Sequence, residues 1–306
     1  MEVPEGLRAS QERAHGEVGR EFLAGLPALA DRFTDAWGLR RTGPVMHGMA
    51  ALVLPVERAD GTRAVLKLQL LDEESEGEPV ALRAWDGRGA VRLLEHDEGT
   101  GTMLLERLDE RRHLTELAGR DGDAAVRVIA ELLARLTARP APAGLRSLGD
   151  VAKEMLAQVP GALAGVADAR ARRVLRGCAA AVAEVADEPG DRLLHWDLHY
   201  ENVLAAPPGA RAEGRGEWLA IDPKPLAGDP GFELLPAIAD RFDADVVPRW
   251  FDLMTGVLGL DRERARAWTL GRVLQNSLWE LEDGEPLPAE QLVIAELLGG
   301  RALGAR

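Results

Sequence analysis

Near Leu108 the apolar residues of this chain change their period, and that change limits the folds open to it. Ahead of it, Ala51 to Val56 and Arg63 to Leu70 have the alternation of two strands. The turn signal Ala59-Asp60-Gly61 joins them as a hairpin. Val91 to Leu94 and Thr102 to Glu106 read as two further short strands, with a helix from about Glu78 to Asp86 before them. One amphipathic helix precedes the strands. Phe22, Leu23, Leu26, Leu29 and Phe33 recur at helical spacing between Val18 and Trp37.

Beyond Leu108 the helical period takes over. Ala124 to Thr137, Leu148 to Leu156 and Ala167 to Ala186 read as helices, with a loop at Pro140 to Gly144. Arg192 to Trp196, Val203 to Ala205 and Trp218 to Ile221 read as short strands around loops, and Pro207 to Gly216 as an exposed hairpin loop. From Gly231 onward the pattern is mostly helical. The expected fold class is α+β and bilobal: a small β-rich lobe with its leading helix over residues 1–105, a hinge at 106–110, and a larger helical lobe over 111–306. Two lobes imply a cleft, which is a common place for a ligand.

Composition narrows the function. Of the 306 residues, 46% are hydrophobic and 29% charged, the profile of a globular protein rather than a disordered one. The formal net charge of −14, with no Lys/Arg-rich block, speaks against nucleic acid as partner. An acidic cleft suits a cationic ligand, although net charge also serves solubility. Cys178 is the single cysteine, so neither an intramolecular disulfide nor a Cys-rich metal site is possible. Met1 to Arg20 carries charges throughout and has no apolar core of a signal peptide. No stretch has the apolar length of a membrane span. A cytoplasmic monomer with no membrane partner is the expectation.

The chemistry concentrates in His195-Trp-Asp197-Leu-His-Tyr-Glu-Asn202, which has the spacing H-x-D-x-x-x-x-N of a phosphotransferase catalytic loop. Phosphoryl transfer asks for an acceptor hydroxyl held in line and for charge to be offset at the phosphates. Asp197 is the candidate to orient the hydroxyl and take its proton, and Asn202 to reach a metal. Asp222, in Ala220-Ile-Asp-Pro223 at the end of an apolar strand, is the candidate second metal ligand. Mg²⁺ takes such hard oxygens together with phosphate oxygens. Asp229 reads as a helix N-cap. Upstream, Lys67 shares a strand face with Val65, so Lys67 would reach the α/β-phosphates and Val65 a purine, while Leu66, Leu68 and Leu70 face the core. Glu78 is the candidate partner of Lys67, with Glu74 and Glu76 as substitutes. Gly48, in Met46-His-Gly-Met-Ala50, lies where a phosphate-covering loop belongs, although G-x-G-x-x-G is absent.

These segments resemble one family over nearly the whole length of the chain. His195 through Asn202-Val-Leu, Trp218-Leu-Ala-Ile-Asp222-Pro-Lys-Pro-Leu-Ala-Gly-Asp229-Pro-Gly-Phe and Leu274-Gln-Asn-Ser-Leu-Trp279 look like the aminoglycoside/hydroxyurea phosphotransferases, and most like the streptomycin 6-kinases among them. Arg83-Ala-Trp85, Val91 through Asp97 and Met103-Leu-Leu-Glu106-Arg-Leu108 fit the same family. The resemblance implies a protein-kinase-like fold, ATP (or GTP), Mg²⁺, and phosphorylation of streptomycin on its 6-hydroxyl. It implies Asp197 as catalytic residue, Asn202 and Asp222 as metal ligands, Lys67 on phosphate, and Glu106 to Leu108 as the adenine-binding hinge. Two residues depart from the broader superfamily, where Gly is usual: Trp196 and Glu201. Both adjoin the acceptor site and bear on substrate choice.

A guanidinium-bearing acceptor would seek carboxylates and an aromatic face. Between Ala265 and Asp283 the apolar stripe Leu270, Leu274, Leu278, Leu281 leaves Asn276, Trp279, Glu280 and Asp283 on the other side. Those four, with Trp196, Glu201 and Glu233, are the candidate substrate contacts. Three rivals stand beside this reading. The first is another small hydroxylated acceptor, such as hydroxyurea, a choline-like molecule or a sugar. The second is a binding protein without catalysis, which the intact Lys67, Asp197, Asn202 and Asp222 argue against. The third is a metal-dependent hydrolase with His195, Asp197 and His199 as ligands.

Overall fold

The computed structural model describes residues 1–300. The chain divides into two compact units. One joins Met1–Arg111 to Ala205–Glu217; the other joins Arg112–Leu204 to the chain from Trp218 onward. The linear reading, with its break at 106–110, does not contain the first unit's second segment.

In the first unit a six-stranded antiparallel sheet runs in the order Arg40–Arg41, Ala51–Glu57, Arg63–Gln69, Thr102–Glu106, Leu93–Asp97, with Met46–His47 also paired to Ala51–Glu57. The hairpin signal is realised in register, Val53 opposite Lys67 and Leu54 opposite Leu66. Leu52, Leu54, Leu66 and Leu68 are shut from solvent. Each is worth about 1.5–3 kcal/mol of burial. Leu70, expected on the same face, is only half-buried. The strand expected at Val91 to Leu94 lies later, at Leu93–Asp97, with an irregularity between Leu93 and Glu95. Its second half is charged, and pairing with Thr102 and Met103 rather than apolar alternation holds it in the sheet.

The leading helix is longer than the apolar spacing implied. It covers Glu5–Ala36, with a break at Gly16, whose φ of 54° and ψ of −119° are not helical. A glycine takes that conformation without a Cβ penalty. Leu7, Leu23, Leu26, Ala30 and Phe33 pack with the strand leucines in one core. The segment Pro207 to Gly216 is exposed only in part. Arg215 is 4% exposed, because its guanidinium donates to the Gly87 carbonyl at 2.8 Å and pairs twice with Glu106. Such a bidentate pair satisfies the donors that burial strips of water.

The second unit is helical, as its period requires. Gly122–Leu136, Leu148–Gly165, Ala169–Val185 and Arg262–Asp283 each begin where Asp121, Ser147, Asp168 or Asp261 accepts a first-turn amide. Leu148–Gly165 runs past the expected end at Leu156, through Pro160. Arg262–Asp283 is the central helix, buried from Ala265 through Leu278 apart from the half-buried Arg266 and Asn276, and it packs on Ala169–Val185. On the latter helix Cys178 is fully buried, and burial pushes its thiol up to about 12. Two small sheets complete the unit. Arg146–Ser147, Leu226–Gly228 and Arg192–Leu194 form one, and Val203–Ala205 pairs with Trp218–Ala220 in the other. Among the described residues no helix is long and apolar enough to cross a membrane.

Candidate active site

The short strand Arg192–Leu194 delivers His195 into the interior of the second unit. Its ring Nε2 donates to the Ile221 carbonyl at 3.0 Å, and its Nδ1 accepts the Asp197 backbone N–H at 3.3 Å. Both nitrogens are therefore spent on holding the loop. Burial drives the imidazole pKa down to about 3, so the ring is neutral. With both ring nitrogens hydrogen-bonded, His195 offers no lone pair to a metal, which counts against the hydrolase reading. Among the described residues no group of three or more His, Cys, Asp or Glu is placed to hold a metal.

The loop continues through Asp197 to a short 3-10 turn, Tyr200–Asn202, where the Asn202 Nδ2 donates back to the Asp197 carbonyl at 2.9 Å. With the amide nitrogen committed, Oδ1 is the side-chain atom of Asn202 that could meet a cation. The Ile221 N–H donates to the Asn202 carbonyl at 2.9 Å, and the Lys224 N–H to the His195 carbonyl at 3.0 Å. Asp197, Asn202 and Asp222 thus belong to one hydrogen-bonded knot. Asp222 sits in the left-handed region, φ 57°. Asp tolerates that region better than most residues. Two hard side-chain oxygens on a rigid turn are a donor set that fits Mg²⁺.

Trp196 is also left-handed, φ 68°, which a bulky residue adopts only when its surroundings enforce it. Glu233 enforces it. Its carboxylate accepts the N–H groups of both His195 and Trp196, the latter at 2.9 Å. Burial pushes the Glu233 pKa up to about 7, against the pull of the two amides and of Arg272. The indole of Trp196 is held between the guanidinium groups of Arg146 and Arg272, 4.8 and 4.9 Å from its centroid, with Trp279 at 5.9 Å. Trp196 is 1% exposed and Glu233 0%. Both are closed to solvent in this structure, where Glu233 braces the loop backbone and Trp196 packs against Arg146, Arg272 and Trp279, rather than lying open to a substrate as the sequence suggested. The signal was ambiguous because an acidic residue beside a catalytic motif looks the same whether it faces a ligand or a backbone.

The remaining acceptor-side candidates scatter. Asn276 turns its amide to Gln291 on the Ala289–Gly299 helix, at 2.9 Å. Glu201 and Asp283 are exposed and Glu280 partly so. Trp279, 39% exposed, is the one brought to the loop, through its ring contact with Trp196. Lys224 was missed, although it stands in the Asp222-Pro-Lys-Pro segment. Its Nζ is 3.6 Å from Asp197 Oδ2. Asp229 caps the turn that follows by accepting the Gly231 N–H at 2.8 Å.

In the first unit Lys67 Nζ lies 2.7 Å from both Glu78 oxygens, and Gln69 Nε2 donates to the same carboxylate at 2.9 Å. Lys67 and Glu78 are 5% and 1% exposed. Glu78, not Glu74 or Glu76, is the partner of Lys67. Val65 is half-buried and Leu108 buried. Two nucleotide-side candidates are otherwise engaged. The Glu106 carboxylate is taken by Arg215 and by the Arg92 N–H. The Gly48 N–H donates to the Ala51 carbonyl at 3.1 Å, closing a turn instead of facing outward.

Comparison with known proteins adds an independent line. The family model described as aminoglycoside/hydroxyurea antibiotic resistance kinase matches residues 36–284. The chain is 64% identical over 303 residues to a hydroxyurea phosphotransferase of Kitasatospora aureofaciens, covering 99% of this chain and 87% of that one. It is 54% identical over 309 residues to a streptomycin 6-kinase of Streptomyces glaucescens, covering 98% of each. Its fold matches the crystal structure of a choline/ethanolamine kinase family protein from Mesorhizobium loti with a TM-score of 0.61, at 19% identity, over 88% of this chain and 94% of that one.

Proposed function

The chain belongs to the aminoglycoside/hydroxyurea antibiotic resistance kinase family, a premise from which we propose that its acceptor is an aminoglycoside, first of all streptomycin at the 6-hydroxyl. As a member it is a kinase with a protein-kinase-like fold, using a nucleoside triphosphate to phosphorylate a hydroxyl. The observation that carries the mechanism is the knot that ties Asp197 to Asn202 and the Asp222 turn. In our reading Asp197 aligns the acceptor hydroxyl and takes its proton, which in a loose transition state needs only a weak base. Asn202 and Asp222 hold Mg²⁺, which supplies charge neutralisation at the phosphates when bound. Lys67, held by Glu78, binds the α/β-phosphates of ATP. Val65 and the backbone of Glu106 to Leu108 receive the adenine. The net charge of −14, with no Lys/Arg-rich block in the sequence, supports small-molecule partners over nucleic acid, and we read the protein as a cytoplasmic monomer.

A second acceptor has its own support. The hydroxyurea phosphotransferase relative is the more similar in sequence of the two relatives described. One experiment separates the readings: ATP and Mg²⁺ with streptomycin, other aminoglycosides, hydroxyurea and small alcohols in parallel, following ADP release and product mass. Phosphorylated streptomycin as the dominant product supports the first reading. Turnover of hydroxyurea with streptomycin untouched overturns it in favour of the second. Product from neither would reject both.

A further inference from the structure

We propose that Lys224 is a positioning residue of the transfer step: its ammonium holds the Asp197 carboxylate and offsets the repulsion between that carboxylate and the terminal phosphoryl group of the nucleotide. This rests on the role of Asp197 given above and assigns a residue that role does not include. An acceptor-orienting carboxylate has to stand next to an oxygen that is itself in line with the γ-phosphoryl, whose three equatorial oxygens carry the charge. Two anions are thereby driven together, and like charges repel. A cation close to the carboxylate is the remedy. Between Asp197 and Asn202 the loop supplies Leu198, His199, Tyr200 and Glu201, with no Lys or Arg among them and one further carboxylate.

Lys224 supplies it from the neighbouring turn. Its Nζ stands 3.6 Å from Asp197 Oδ2, a contact that leaves the second carboxylate oxygen for the acceptor. The backbone that carries it does not wander. The Lys224 N–H is bonded to the His195 carbonyl, the His195 ring is bonded to the Ile221 carbonyl, and Pro223 and Pro225 flank the residue with fixed φ. The lysine side chain is 41% exposed and that of Asp197 25%. An ion pair so open to water contributes little to folding. Its place beside the reacting carboxylate is better accounted for by the reaction than by stability.

The test is nucleotide binding without an acceptor, so it does not depend on which drug is modified. Titration calorimetry with Mg²⁺ would compare a β,γ-imido ATP analogue with ADP, which lacks the γ-phosphoryl. For Lys224→Met we expect the analogue to bind about tenfold more weakly, with ADP affinity retained within about twofold. Lys224→Arg, which keeps the charge, should bind the analogue within about threefold of the unaltered enzyme. Asp197→Asn removes the repelling charge, so Lys224→Met added to it should cost less than about threefold. A structural role for Lys224 would weaken ADP equally and would persist in the Asp197→Asn background. Either result, or a loss below about threefold for Lys224→Met alone, overturns the proposal.

Discussion

Glu233 and Trp196 meet at 2.9 Å, carboxylate oxygen to backbone nitrogen, and through that bond a buried side chain of a later turn fixes the approach to Asp197. Removing the carboxylate leaves the amides of His195 and Trp196 buried and unsatisfied. Each such group costs about 1–3 kcal/mol, so Glu233→Ala should lose on the order of 3 kcal/mol in urea unfolding and most of its kcat. Glu233→Gln retains one acceptor oxygen and should fall between. Full stability of the alanine variant would show that the loop is held by other means.

The Lys67–Glu78 pair makes a sharper demand, because both groups are almost wholly buried. Glu78→Ala leaves an ammonium without its carboxylate and should destabilise by about 3–5 kcal/mol. Lys67→Met combined with Glu78→Leu should recover much of that stability while nucleotide affinity stays lost. A Glu78→Ala protein as stable as the parent would mean that Gln69 and solvent already compensate the lysine.

Asp197 and Asp222 are expected to fail in different ways. Asp197→Ala should keep nucleotide binding and lose most turnover, as the proposed acceptor-orienting role requires. Asp222→Asn keeps a residue at ease in the left-handed region but gives up the anionic oxygen, so the Mg²⁺ concentration needed for half-maximal rate should rise. Near-normal turnover of the first variant, or an unmoved Mg²⁺ requirement in the second, would reverse the assignments.

His195 and Glu233 give opposing pH dependences that overlap. His195 falls from an ordinary 6.5 to about 3 in the fold. The unfolded chain then binds the extra proton, and this contribution to stability is lost as pH drops below 6.5. Glu233 rises from 4.5 to about 7. Here the folded chain holds the extra proton, and stability is lost as pH rises from 4.5 towards 7. Each slope approaches 1.4 kcal/mol per pH unit, about the full value for one proton, and between pH 4.5 and 6.5 they act against each other. Unfolding midpoints across that window should change little from this pair in the parent. They should rise with pH in Glu233→Gln relative to the parent, and fall with pH in His195→Asn. Parallel profiles for all three proteins would contradict the coupling.

The hairpin, the cap at Asp229 and the spacing of Asp197, Asn202 and Asp222 were legible in the sequence because each is a local pattern with a local cause. A turn signal sets Ala51–Glu57 against Arg63–Gln69, and Asp229 takes the Gly231 amide two residues on. What escaped was long-range. Arg215 looks like a solvated loop residue until Glu106 and Gly87 are brought to it. Glu233 looks like a ligand for a cation until two backbone amides claim it. Lys224 was read as part of a motif, because nothing in the linear order places an ammonium on Asp197. The Gly16 break was invisible for a plainer reason: the residues before it are too polar to show an apolar stripe.

The burial of Cys178 has a practical corollary. The only thiol of the chain is inside a helix packing surface and hard to ionise, so the native exterior carries no reactive sulfur. A cysteine placed at an exposed position of either unit would take a maleimide label at one defined point. Two such labels on the protein would give a spectroscopic ruler with no competing thiol on the native surface.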